Sequence, residues 1–134
     1  YGISTADVAA PGGDRRFQVT SDPGGGRVLS TWPAYAGCAI STTDQGAKYC
    51  WLQGTSMAGP HAAGVAALLS SRGMSGAQVA AALASTAMPL ACPEDMSMYA
   101  NFPQANGDPQ ECTGSAGHTS FYGAGEIDAL RAVS

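Results

Sequence analysis

The sequence predicts an α/β chain organised round one buried helix, and three observations point there. Residues Ser56 to Ser71 (SMAGPHAAGVAALLSS) are apolar nearly all round, with Ala or Gly on every turn. A helix without a polar face is one that packs on every side. Ahead of it stand short runs of β character separated by turn residues, and helical runs follow it. The 134 residues are 45% hydrophobic but only 12% charged, with 18 glycines and 8 prolines. That composition builds a core from small residues joined by many turns.

Taken in order, Ala6 to Ala10 (ADVAA) reads as a short buried strand stopped by Pro11-Gly12-Gly13. Asp14 to Gly26 is polar and turn-rich, the pattern of a surface loop. Arg27 to Thr31 (RVLST) forms a second strand. Trp32 to Gln53 is irregular and holds Cys38 and Cys50, with a short strand at Lys48 to Leu52. Ser56 serves the long helix as N-cap or first-turn residue, and Pro60 is near enough to its start to be tolerated. Gly59, Ala63 and Gly64 let neighbouring backbones approach, and Gly73 closes the helix. A second helix begins with Ser75 as N-cap, sets Val79, Ala80, Leu83, Thr86 and Ala87 on its inner face, and ends at Pro89. Ala91 to Thr119 is a long Pro- and Gly-bearing insertion containing Cys92 and Cys112. A short helix, Ile127 to Val133, finishes the chain.

Several function classes are set aside by the same reading. The net charge of -4 comes without a run of like charge, whereas a nucleic-acid footprint requires clustered Lys and Arg, so no nucleic-acid partner is expected. Apolar stretches such as Val65 to Leu69 fall far short of the roughly 20 residues of a membrane span, and no membrane partner is expected. Tyr1-Gly2 does not look like a natural start, and the chain is expected to begin where a longer sequence was cut. The four cysteines allow three pairings, among which sequence does not choose; proximity favours Cys38 with Cys50 and Cys92 with Cys112. No CxxC occurs and the two histidines are not at ligand intervals, so no metal site is expected. An even count in a weakly charged, Gly-rich chain favours disulfides and an oxidising compartment; the alternative is four buried thiols in a cytosolic protein.

The chemistry lies at Gly54-Thr55-Ser56-Met57-Ala58. A serine at a helix start is by itself an ordinary cap. Here a loop enters through a glycine, the serine stands at the helix N-terminus, and a dense small-residue helix runs behind it. That is a rigid mount for a nucleophile, and the Ser56 N–H faces the same space, where the helix dipole favours negative charge. The segment GTSMAGPHAAGVAALL closely resembles the catalytic-serine segment of subtilases, G-T-S-M-A-x-P-H-x-A-G, at every constrained position. Tyr1-Gly2 with Asp7-Val8-Ala9-Ala10-Pro11-Gly12 is similar to a second family segment, and Ser30-Thr31 to an S-T step before the serine loop. Tyr122-Gly123-Ala124-Gly125-Glu126-Ile127-Asp128-Ala129 resembles its closing element.

The resemblance implies the C-terminal portion of a three-layer fold with a mostly parallel sheet and a buried central helix starting at the serine. Residues 1–134 would then be the C-terminal segment of one peptidase catalytic domain. Ser56 would attack the scissile carbonyl to form an acyl-enzyme, its own N–H helping to hold the oxyanion. The family orders its triad Asp, His, Ser, so the Asp, the His and the oxyanion Asn are expected upstream of Tyr1. The expected partners are that N-terminal part, in the same chain or as a separately processed one, and peptide or protein substrates. Leu52, Gln53, Gly54 and Thr55 lead into the serine where the family's loop borders the primed side of the cleft, and are candidates for substrate contact; the other reading is a strand end with no ligand. His61 matches a motif histidine outside the triad and is expected to be structural and hydrogen-bonded. Met57 is expected to pack beside the site, where its oxidation would impair activity, and His118 to be a surface residue. No cofactor is expected in this segment. Calcium, common in the family, belongs if anywhere to the complete enzyme, since no D-x-D-x-D-G loop occurs here. A secreted or otherwise extracytoplasmic location follows.

Two other readings remain beside this one. A subtilase-like segment can lose activity and serve as a binding scaffold. Alternatively, G-T-S-M-A resembles the G-x-S-x-G elbow of α/β-hydrolases with Ala in the last place, and Ser56, Asp108 and His118 occur in that fold's order. The long motif and its two flanking segments weigh against the hydrolase.

Overall fold

The computed structural model describes residues 5–17 and 24–134. The Tyr1-Gly2 pair and the middle of the 14–26 loop lie outside them. Two compact units divide the chain, Ala10–Gly64 and Val65–Ser134, the latter joined by residues up to Ala9.

In the first unit a three-stranded sheet has the order β1 (Val28–Thr31), β3 (Ala47–Leu52), β2 (Ser41–Asp44). Both pairings are antiparallel, with Cys50 opposite Ser30 on one side and Ser41 on the other. β2 falls in the stretch expected to be irregular. Its β-favouring pair, Thr42-Thr43, is turned back by Gln45 and Gly46, both at positive φ (47° and 84°). That is the geometry of a two-residue hairpin, whose twist matches the strands it joins. The Cys38–Cys50 disulfide anchors the approach to β2 on the central strand, where Cys50 is buried. Trp51 covers Gly24, where an added Cβ would collide with the indole.

The mostly parallel sheet expected of this chain is therefore not what the described residues form. The one parallel pairing among them is an isolated bridge, Ala9 with Glu126. The reason is local: hairpin connections return the chain antiparallel, while parallel neighbours need a crossover of a dozen or more residues.

In the second unit α1, which spans Thr55–Ser71, contributes Val65 and Leu69 to a small core with Val79 of α2 (Gly76–Thr86). Ala66, Ala82, Leu83, Ile127, Ala132 and Val133 pack against it, the last two from α3 (Ala129–Val133). α1 is not buried all round: Ala67 is exposed, and Leu68 is 51% exposed. The helix keeps its apolar pattern, but α2 and α3 cover only one face of it. Gly73, at φ 85°, ends α1 in the left-handed conformation. Ser75 caps α2 in a full capping box: its Oγ accepts from the Gln78 N–H while the Gln78 Oε1 accepts from the Ser75 N–H. Asp128 caps α3 by accepting from Arg131 N–H at 2.9 Å, so that helix starts two residues later than expected.

The expected strand at Ala6–Ala10 is reduced to bridges, Val8 with Gly123 and Ala9 with Glu126. Asp7 O accepts from Ala124 N–H at 2.9 Å, and Ala9 N–H donates to Gly125 O at 2.8 Å. Gly123 has φ 56°, and a side chain there would run into the Asp7 carbonyl; only glycine allows both the turn and the approach. The insertion 91–119 is closed by the Cys92–Cys112 disulfide. It carries a 3₁₀ turn, Ser97–Tyr99, and ends in a small hairpin, β4 (Gly114–Ser115) with β5 (His118–Thr119).

Candidate active site

The site residues named from the sequence sit on one continuous path from β3 into α1. Leu52 ends β3, in register with Val28. Gln53 and Gly54 make the turn, Thr55 is the first helical residue and Ser56 the second. Gly54 has φ 135°, a backbone state that side-chain-bearing residues rarely adopt. Its carbonyl accepts the first helical bonds, from Met57 N–H at 3.0 Å and Ala58 N–H at 3.3 Å. Gly54 therefore acts as the N-cap, and of the two places expected for Ser56, N-cap or first turn, it takes the first turn.

This placement leaves the N–H groups of Thr55 and Ser56 ahead of the first intrahelical bond, as orphan donors at the positive end of the helix dipole. Among the described residues no backbone carbonyl accepts from either. Ser56 is exposed, and Met57 behind it is half-buried. An exposed hydroxyl beside two uncommitted N–H donors can attack an electrophilic carbon and hold the negative charge that develops on its oxygen.

The path is held from one side by the segment after Pro11. Gly54 N–H donates to Gly12 O at 2.8 Å, and the Gln53 Oε1 accepts from Arg15 N–H at 2.8 Å. Arg15 opens a 3₁₀ turn, Arg15–Phe17. Asp14 organises that turn by accepting from Arg16 N–H and Nε at 2.9 Å and pairing with its guanidinium. The hydrogen bonds from Arg16 hold the Asp14 carboxyl below its usual range against the opposing effect of burial. Gln53 is thus engaged within the protein. Arg15 was not singled out from the sequence, and Gly12 was read only as a strand end and as part of a family-like segment, with no role at the serine.

His61 is exposed, and its Nδ1 lies 2.8 Å from Met57 O, one helical turn back. A carbonyl only accepts, so Nδ1 is the donor in this bond. Asp108 accepts from Asn106 Nδ2 at 2.6 Å within its own turn, and His118 is exposed on β5. Among the described residues no group of three or more His, Cys, Asp or Glu could hold a metal ion, and no helix is long and apolar enough to cross a membrane.

A family model described as "Subtilase family" matches residues 1–125. Among curated proteins the chain is similar to a thermophilic serine proteinase of Bacillus sp. (strain AK1), 45% identical over 51 residues. That stretch is 38% of this chain and 13% of the relative, so the similarity spans a small part of the relative's length. No solved structure matches.

Proposed function

Because the chain belongs to the subtilase family, we propose that it is the C-terminal part of a serine endopeptidase whose nucleophile is Ser56. The observation that carries the reading is the mount of that serine: exposed in the first turn of α1, after a glycine turn, with two first-turn N–H groups uncommitted among the described residues. The Ser56 Oγ attacks the scissile carbonyl, and the Ser56 N–H stabilises the oxyanion that forms. A His takes the hydroxyl proton and returns it to the leaving amine, and an Asp orients that His. Water then hydrolyses the acyl-enzyme. The His, its Asp and the oxyanion Asn come from the N-terminal part of the same catalytic domain, in the same or a separately processed chain. In that complete domain the mostly parallel sheet and its helices cover the face of α1 that α2 and α3 leave open. The substrates are peptides or proteins, met outside the cytoplasm; the two disulfides support that location.

The test is covalent labelling of the complete protein with a fluorophosphonate, located by peptide mapping. Ser56 is expected to carry the label, and Ser56→Ala to lower turnover by at least about a thousandfold while leaving the thermal melt in place. Label on another serine, or an active Ala variant, would overturn the assignment, and a complete protein that takes no label would favour the scaffold.

A further inference from the structure

Resting on Ser56 as the nucleophile, we propose that Gln53 is a positioning residue for it, acting through its bond to the Arg15 N–H and not by touching substrate. Three observations lead there. The Gln53 Oε1 accepts from a backbone N–H 38 residues away in sequence, at 2.8 Å. The donor belongs to a 3₁₀ turn that the Asp14 carboxylate braces from within. The next residue, Gly54, is bonded to Gly12 of the same segment at 2.8 Å. Two bonds from one segment therefore seize two consecutive residues immediately before α1.

The consequence is directional. A single bond at Gly54 fixes one point of the turn but leaves the peptide free to rotate about it. The Gln53 bond supplies a second point, and two points set the angle at which α1 begins. Ser56 is the second residue of that helix, so its Oγ and N–H inherit the angle. Rate depends steeply on such placement, because attack requires the oxygen near the carbonyl carbon with the oxyanion donors in line.

The experiment uses the complete protease. Gln53→Met keeps the side-chain length and removes the acceptor, Gln53→Glu keeps an acceptor oxygen, and Arg15→Pro removes the donor. Proline suits the first position of a helical turn, where its fixed φ is tolerated. Two substrates share one acyl part: a p-nitroanilide with nothing beyond the scissile bond, and a peptide that extends past it. Gln53→Met and Arg15→Pro are each expected to slow fluorophosphonate labelling of Ser56, and kcat on both substrates, by on the order of tenfold, the scale of one hydrogen bond. KM should stay within about twofold, the pattern of an interaction that serves the transition state. Gln53→Glu should recover most of the rate, and the double variant should be no slower than either single one, since both remove the same bond. Additive losses, an unchanged labelling rate, or an effect confined to KM of the extended peptide would overturn the proposal, the last making Gln53 a substrate contact. Arg15→Pro leaves Gln53 in place and decides the matter if Gln53→Met does not fold. Wild-type protein that takes no label at Ser56 would instead remove the nucleophile assignment itself, and the inference with it.

Discussion

Gly12 and Gly54 meet backbone to backbone: the Gly54 N–H donates to the Gly12 carbonyl at 2.8 Å, and a Cβ built on Gly12 would stand 2.7 Å from the Gly54 oxygen. That same oxygen accepts from Met57 and Ala58 and so starts α1. One residue, two positions before Ser56, is held by a separate segment on one side and by the helix on the other.

Gly12→Ala is accordingly expected to injure the site more than the fold. The atom it would strike is backbone, not the end of a flexible side chain, so Gly54 must move. Such overpacking costs about 1–3 kcal/mol, and part of it should appear as slower labelling of Ser56. Denaturant unfolding and fluorophosphonate kinetics on the same variant would measure the two shares; a variant with normal kinetics would show that α1 does not depend on this contact.

Asp14 gives the brace a pH dependence. Its carboxyl is held below the ordinary value of about 3.9 by its hydrogen bonds to Arg16. A depressed folded-state pKa contributes stability above the unfolded value, and that stability is lost as pH falls through the folded value. Wild type should therefore exceed Asp14→Asn in stability above about pH 4, and the difference should close on acidification below it. Parallel unfolding curves between pH 2 and 6 would show this; a difference that widens toward low pH would contradict it.

Leu69 and Leu68 are neighbours with opposite surroundings: Leu69 is 0% exposed and Leu68 is 51% exposed. Leu69→Ala should cost about 2–5 kcal/mol through lost burial and the cavity left behind. On the described surroundings alone, Leu68→Ala would cost within about 0.5 kcal/mol. In the complete protein it should approach the Leu69 value, because the N-terminal part is proposed to pack on that face. A Leu68→Ala protein as stable as wild type would refute that packing.

The Cys92–Cys112 bridge spans 20 residues of an insertion with little regular structure. Replacing both by Ala should lower stability by roughly 3 kcal/mol, the entropy of a loop that size in the unfolded chain. Ser56 labelling per folded molecule should not change. Non-reducing peptide mapping should recover this pair and Cys38–Cys50; a crossed pair would overturn both.

Much was legible because it is local. The apolar run from Ser56, the Ser75 cap, and Gly73 beyond the first helix all act within a turn or two of their own backbone. The motif GTSMAGPH is likewise local, since the proposed nucleophile, its entering glycine and the helix are consecutive. The β2 hairpin was missed although its Gln45-Gly46 turn is also local: glutamine at positive φ is not an ordinary turn signal, and the cysteines nearby read as an irregular loop.

Other features depend on segments far apart in the chain, and no pattern of period 2 or 3.6 encodes them. Gly123 is written as one glycine among many; what requires it is the Asp7 carbonyl that the fold brings against it. Gln53 in sequence is a polar residue before the serine motif, suited equally to substrate contact or to a strand end with no ligand, and its bond is to the Arg15 N–H 38 residues earlier. The open face of α1 has the same origin. Local periodicity specifies that a helix is apolar, but how many of its sides are covered depends on which other elements close onto it, and here α2 and α3 take one side.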